Sequence, residues 1–273
     1  MSFRNSIIQF LLIVLLFCGT GTVLADNIVI KGSTTVLPIA QKVAEAYMKE
    51  HPGVKISISG GGSGNGIKAI IDGTTDIADS SRFIKGKEVK LALKKGSYPV
   101  PWRVAYDCII PIVHPSNPLK NISMDQLKDI YMGKIKNWKE LGWKNNRIVV
   151  VSRDTSSGTY EVWEKKVMKK KRVYPGALLQ ASNGAVNQII SKNKYAIGYI
   201  GIGYMNDSVS PVKVNGIKGS IETTLSGAFP ISRPLFMFTN GWPEGNIVKF
   251  LNFVLHPQKG QKFVREAGFV SLY

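Results

Sequence analysis

One local pattern recurs along this chain: a short β-rich run, a turn of glycines and hydroxyl residues, then a stretch with helical spacing. "NIVIKGSTTVLPIAQKVAEAYMKEHPG" begins with β-formers, turns at Gly32 to Thr35, and continues with Ile39, Val43, Ala46 and Tyr47 at helical spacing. Thr34 or Thr35 is placed to cap that helix, and Pro38 fits its first turn, where no amide donor is missed. "VKISISGGGSGNGIKAIIDG" passes from an alternating strand through a glycine loop into a short helix. "TTDIADSSRFIKGKEVKLALKKG" runs from Asp76-Ile77-Ala78 through Ser80-Ser81-Arg82 into another. "VVVSRDTSSGTYEVW" completes the series, with Arg153 closing a valine run before four hydroxyls and Gly158. The copies have no fixed period, which argues against a solenoid. Strands alternating with helices predict an α/β fold with largely parallel sheets.

In such sheets ligands sit beyond the carboxyl ends of the strands, where these turns lie. A helix start offers unpaired amides and the positive end of the dipole, which suits a phosphate-like anion. Glycines let the backbone come close, and short hydroxyls add donors without filling the space. Taken singly, each turn is also what an ordinary helix cap looks like. Taken together, two of them carry an arginine (Arg82, Arg153), and the chain has a formal charge of +18.

That charge steers anions, and nucleic acid is the first candidate partner. The opening segment argues otherwise. "MSFRNSIIQFLLIVLLFCGTGTVLA" has a basic start at Arg4, an apolar stretch from Ile7 to Phe17, and small residues near its end. It reads as a cleaved export signal with Asp26 as the mature N-terminus, leaving a charge of about +17. A lipid anchor at Cys18 is the alternative, although bulky Phe17 stands where such signals carry a small residue. The expected location is periplasmic or otherwise extracytoplasmic. The run "KKVMKKKR" (Lys165 to Arg172) lacks the interleaved aromatics of a base-stacking surface and reads as a solvated helix face; an acidic membrane surface is its other possible contact.

Enzymatic machinery is not evident. With Cys18 removed, Cys108 stands alone in the apolar run "YDCIIPIV", which excludes a disulfide framework and reads as a buried thiol. His51, His114 and His256 each precede a proline, are far apart, and lack metal-ligand spacing. "GNGIKA" has the Gly64, Gly66, Ala69 spacing of a dinucleotide fingerprint, but it is the second turn of the chain. The acidic partner it requires would be Glu88, inside a helical run. Neither a Walker motif nor a nucleophile elbow is found, and no metal or cofactor is expected.

"GSTTVLPIAQKVAEAY", "GGGSGNGIKAIIDGTTDIADSSR", "DQLKDIYMGKIKNWKELG", "VVVSRDTSSGTYEVW" and "SNGAVNQIISKNKYAIGYI", in this order, resemble the phosphate-binding proteins of phosphate-specific ABC importers. The likeness runs from about Ile28 to Tyr204 and more loosely beyond. It implies a periplasmic-binding-protein type II clamshell: two α/β lobes, two hinge crossings, and inorganic phosphate in the cleft. Lobe one would hold 26–106 and 230–273, lobe two 107–229, with "AYDCIIPIVHP" and "FPISRPLFMF" as crossings. The implied protein is a monomer and not an enzyme, and it delivers its ligand to the importer's membrane permease subunits.

The resemblance also implies ligands. Thr34 matches a hydroxyl donor, Thr35 a backbone donor, Ser63 the next hydroxyl, Arg153 the arginine that pairs with phosphate, and Ser157, Gly158 and Thr159 further donors. An aspartate common in the family, which accepts the proton of monohydrogen phosphate, is replaced here by Ser81. In this "SSR" branch Ser81 and Arg82 would face the anion. Serine can donate or accept, so discrimination against sulfate would weaken or rest on Asp79 or Asp154. Asn183 reads as a helix cap, and Trp102, Trp138 and Trp143 as packing residues. The rival readings are a binding protein for another tetrahedral oxyanion such as sulfate or arsenate, an exported phosphate-ester hydrolase, and a sensor or adhesin.

Overall fold

The computed structural model describes residues 26–273; the expected export signal, its expected cleavage point and Cys18 lie outside the described residues. The chain begins with β1 (Asp26–Gly32), α1 (Leu37–Glu50), β2 (Val54–Ser59), α2 (Ser63–Ile71), β3 (Ile77–Ser80) and α3 (Gly86–Lys94). It then enters β4 (Pro99–Val113), β5 (Asn121–Ile122) and α4 (Met124–Tyr131). A second series follows: β6 (Val149–Arg153), α5 (Gly158–Lys166), β7 (Leu178–Gln180), α6 (Asn183–Lys192) and β8 (Ala196–Gly201). After the short β9 (Ser210–Pro211), β10 (Lys213–Val214) and α7 (Ile221–Leu225), the chain returns through β11 (Ser232–Asn240), α8 (Gly245–Leu255) and α9 (Gly260–Glu266).

Two halves share one winding. In the first, β1 lies between β2 and β3, all parallel; in the second, β6 lies between β7 and β8, again parallel. Each half therefore has a topological switch point beside its central strand, the place where such sheets hold ligands. The two halves meet on β4, which is antiparallel to β11 over Pro99–Cys108 and to β8 over Ile109–Val113. At the changeover the Ile109 amide donates to the Ile231 carbonyl at 3.0 Å, so both crossings sit side by side. The sheet is mixed at this point because one crossing runs out and the other runs back.

The apolar cores follow the same division. One cluster in the second half includes Ile109, Trp138, Trp163, Val186 and Ile200. In the first half, Ile39, Val43 and Tyr47 of α1 pack with α8 and α9 on one face of the sheet. Ile67 and Ile70 of α2 pack with Phe236 and Phe238 on the other. Gly66 is required where α2 crosses β1: a Cβ there would lie 2.7 Å from the Gly32 Cα and 3.1 Å from the Asp79 carbonyl. That close crossing accounts for the glycine spacing in "GNGIKA". Burial pushes the Cys108 thiol up to about 12, in keeping with a structural role. Trp138 is buried, and Trp102 and Trp143 are half-buried against other aromatics.

Candidate functional site

The two switch points face each other, and the turns from the two halves touch. The Gly64 amide donates to the Ser156 carbonyl at 2.9 Å, and Ser156 Oγ donates to the Gly61 carbonyl at 3.1 Å. A Cβ on Gly158 would lie 2.7 Å from Ser81 Oγ and closer still to Ser63 Oγ, so only glycine lets these surfaces meet. Ser157 Oγ takes the Tyr160 amide at 3.2 Å and caps α5. The amides of Gly158 and Thr159 then lie in a first turn that has no internal acceptors for them. Thr34, Thr35, Ser63, Ser81, Ser157 and Thr159 are all buried here, together with three arginines, Arg82, Arg153 and Arg233.

The arginines differ in what neutralises them. Arg82 is held by both oxygens of Glu88, at 2.8 and 2.7 Å, and its Nε faces Glu161 Oε2 at 2.7 Å. Arg233 gives Nε and Nη2 to Asp107 Oδ2 at 2.9 and 2.7 Å. Arg153 has no carboxylate within ion-pair distance among the described residues. Its Nε donates to the Gln180 carbonyl at 3.0 Å, and its Nη2 to the Ala181 carbonyl at 2.8 Å and Thr34 Oγ1 at 3.1 Å. Its Nη1 is buried without a partner, and the residue is only 1% exposed. Burial, and then nearby Arg233, push its pKa below the usual arginine value. A buried cation with an unused donor is a site that wants an anion.

The hydroxyls form two groups. Thr35 Oγ1 and Thr159 Oγ1, from opposite halves, lie 3.0 Å apart. Arg233 Nη2 reaches both, at 3.3 and 3.0 Å, and Asn183 Nδ2 donates to Thr35 Oγ1 at 3.0 Å. Ser63 Oγ and Ser81 Oγ are 3.2 Å apart, and Ser63 Oγ also takes the Ser81 amide at 2.9 Å. Tyr204 locks Thr34 from below by donating to its carbonyl at 2.5 Å.

Several sequence expectations meet a different arrangement. Arg82 does not offer its guanidinium to the hydroxyl cluster, because Glu88 and Glu161 hold it; Glu88, weighed as the acidic partner of a dinucleotide fingerprint, pairs with Arg82 instead. Arg82 hydrogen bonds hold the Glu88 carboxyl below the usual range, overcoming the opposing effect of burial, which is the largest single influence. The Thr35 amide donates to Ser33 Oγ at 3.1 Å, and Ser33 also takes the Val36 amide at 3.3 Å. Ser33, not Thr34 or Thr35, thus closes the start of α1, and Thr35 contributes its hydroxyl to the cluster. Asn183 is not the cap of α6. Ser182 takes that role by accepting the Ala185 amide at 3.1 Å, while the buried Asn183 turns to Thr35.

Neither aspartate suggested as a stand-in for the missing carboxylate hydrogen-bonds to the hydroxyl cluster. Asp154 Oδ1 accepts the Ser156 amide at 2.8 Å and the Ser156 hydroxyl at 2.5 Å. Asp79 makes no hydrogen bond to the hydroxyl cluster, its Oδ1 is buried without a partner, and burial raises its pKa well above the carboxylate range. The Arg233–Asp107 pair was missed altogether. A signal existed: each residue stands alone in an apolar run, "YDCIIPIV" and "SRPLFMF", and buried charges in strands need partners.

Known proteins agree with this architecture. Residues 20–258 match a family described as a PBP superfamily domain. Phosphate-binding protein PstS of Staphylococcus epidermidis is 33% identical over 267 residues, covering 93% of this chain and 81% of the relative. Phosphate-binding protein PstS of Bacillus subtilis is 32% identical over 249 residues, covering 91% and 81%. A phosphate ABC transporter substrate-binding protein from Clostridium perfringens, solved with bound phosphate, superposes with a TM-score of 0.85 at 35% identity, covering 91% of this chain and all of the other. An ABC-type phosphate transport receptor from Vibrio cholerae gives a TM-score of 0.74 at 29% identity, covering 89% and 99%. The two-half architecture is the two-lobe periplasmic-binding-protein fold, and the chain belongs to the phosphate-binding protein family of the PBP superfamily.

Proposed function

We propose that this protein captures inorganic phosphate between its lobes and hands it to the membrane permease subunits of an ABC importer, making and breaking no bond. The observation that carries this reading is Arg153, a buried guanidinium with a free Nη1 and no carboxylate in ion-pair reach among the described residues, at the point where the two lobes' donors converge. Arg153 supplies charge to the anion. Thr34, Ser63, Ser81, Ser157 and Thr159 supply hydroxyls, the Gly158 and Thr159 amides supply the start of α5, and Thr35 acts through its hydroxyl. Arg82 is omitted from this set: Glu88 anchors it within its own lobe, and Glu161 ties it to the other.

The lobes are assigned as 26–106 with 230–273, and 107–229, and the mature protein is read as a monomer exported beyond the cytoplasmic membrane. Only the closed form brings both lobes' donors to one anion, so phosphate shifts the population toward closure. One further reading has a specific observation behind it. Ser81, hydrogen-bonded to Ser63, stands where the resemblance places an aspartate, which would let sulfate or arsenate compete. Calorimetric titration of unfolded, anion-free and refolded protein with phosphate, alone and against excess sulfate, tests both. Tight one-to-one binding undisturbed by sulfate supports phosphate capture; equal competition makes this a general oxyanion binder; no binding of either anion sinks the proposal.

A further inference from the structure

We propose that Asn183 and Arg233 are positioning residues that fix the direction of the Thr35 and Thr159 hydroxyl protons, making Thr159 a one-way donor to the bound anion and leaving Ser63–Ser81 as the reversible pair that receives the ligand's own proton. This rests on the anion-binding reading above. The pseudo-symmetry of the fold places Asn183 at the start of α6, where the other lobe has Ser63 at the start of α2.

The argument is one of counting donors and lone pairs. The Gly201 amide donates to Asn183 Oδ1 at 3.3 Å, which fixes the side-chain amide with Nδ2 toward Thr35. Arg233 has donors only, and its guanidinium is held by Asp107 and by the Ser81 carbonyl at 3.2 Å. Asp107 takes one of the two Nη2 protons of Arg233, and the other is shared between Thr35 Oγ1 at 3.3 Å and Thr159 Oγ1 at 3.0 Å. Thr35 Oγ1 thus accepts from Asn183 and from one branch of that shared bond, which turns its own proton outward to be given away. The acceptor in reach is Thr159 Oγ1, at 3.0 Å. Thr159 Oγ1 then accepts from Thr35 and from the other branch of the shared Arg233 bond, and its own proton is left to point at a third acceptor.

No such constraint acts on the serine pair. Ser63 Oγ accepts one backbone amide, and either serine can be the donor across the 3.2 Å separation. Ser81 can therefore accept a hydrogen bond from a protonated phosphate oxygen while giving its own proton to Ser63. The site as a whole offers fixed donors on the Thr159 side and one adjustable acceptor on the Ser81 side. Sulfate, which has no proton at neutral pH, can use only the former.

A double-mutant cycle tests the inference, with phosphate titrated into wild type, Asn183→Ala, Thr35→Val and the double variant, each checked for its ligand-free melting temperature. If Asn183 acts through Thr35, each single variant weakens phosphate binding roughly tenfold, about one hydrogen bond's worth, and the double variant is no weaker than Thr35→Val. Multiplying losses, giving roughly a hundredfold in the double variant, overturn it. Where a cycle member does not fold, Thr159→Ser and Thr159→Val replace it: serine should retain affinity and valine lose it, and equal losses overturn the directed proton. Ser81→Ala should also lower the phosphate-to-sulfate preference, and an unchanged preference overturns the role given to the serine pair. Wild-type protein that ignores phosphate overturns the underlying functional reading, whereas wild type that binds with an additive cycle overturns this inference alone.

Discussion

Arg153 and Arg233 are equally buried cations with opposite expected responses to truncation. Of the three buried arginines, Arg153 is the one without a carboxylate partner among the described residues, and replacing it with methionine removes a charge-assisted contact to the anion. Truncating one side of a buried charged pair costs about 2–5 kcal/mol of binding, which corresponds to roughly thirtyfold to several-thousandfold in affinity. The ligand-free protein should hardly notice. It loses bonds to the Gln180 and Ala181 carbonyls and to Thr34 Oγ1, each worth about 1 kcal/mol. It is relieved of burying an unpaired charge, a penalty of several kcal/mol. These oppose each other, and the net change should stay within about 2 kcal/mol of zero. Arg233→Met leaves Asp107 buried without its cation, and breaking such a pair costs about 3–5 kcal/mol. Urea unfolding of anion-free protein and phosphate calorimetry on both variants separate the two. The reasoning is refuted if Arg153→Met destabilises the ligand-free protein as much as Arg233→Met does, or if its affinity falls by less than about threefold.

Gly158→Ala should weaken phosphate binding strongly with little effect on ligand-free stability, because the new Cβ meets Ser63 and Ser81 only when the lobes are together; small-angle scattering that shows normal closure on adding phosphate would count against this. Arg82→Lys should lower the melting temperature by loosening Glu88 and Glu161 while leaving affinity within about threefold, since the lost contacts are protein–protein ones; a large affinity loss would return Arg82 to the anion. Asp79 has a folded pKa raised by burial, so its contribution favours the folded state below the unfolded carboxylate pKa and is lost as pH rises through the folded value. Asp79→Asn should therefore raise the melting temperature more at pH 8 than at pH 4, and a difference that does not change with pH would refute the assignment.

The strand–turn–helix units, their order and their anion-directed chemistry were all legible in the sequence, because they depend on local rules. Alternation and helical spacing mark the elements, glycine marks close approach, and Ser, Thr and Arg before a helix mark a polar turn. Even the placement of Thr34, Ser63, Ser81, Arg153 and Ser157–Thr159 in one buried cluster follows from knowing that such turns gather at strand ends. What local rules do not supply is the partner of each charge. Arg82 and Arg153 both stand in strand-to-helix turns, yet Glu88 and Glu161 neutralise the first and no carboxylate among the described residues neutralises the second; Glu161 lies 79 positions from Arg82, in the other lobe. Asn183 looks like a cap because Asn is a good cap, and only the fold reveals Ser182 in that role and Thr35, from the opposite lobe, beside Asn183. Arg233 meets Asp107 across 126 residues because the two crossings lie side by side. Sequence determined which groups could hold an anion, since that depends on residue type and neighbours along the chain. Tertiary structure decided which of them are free to do so, since a buried charge is answered by whatever the folded chain brings within a few ångströms of it.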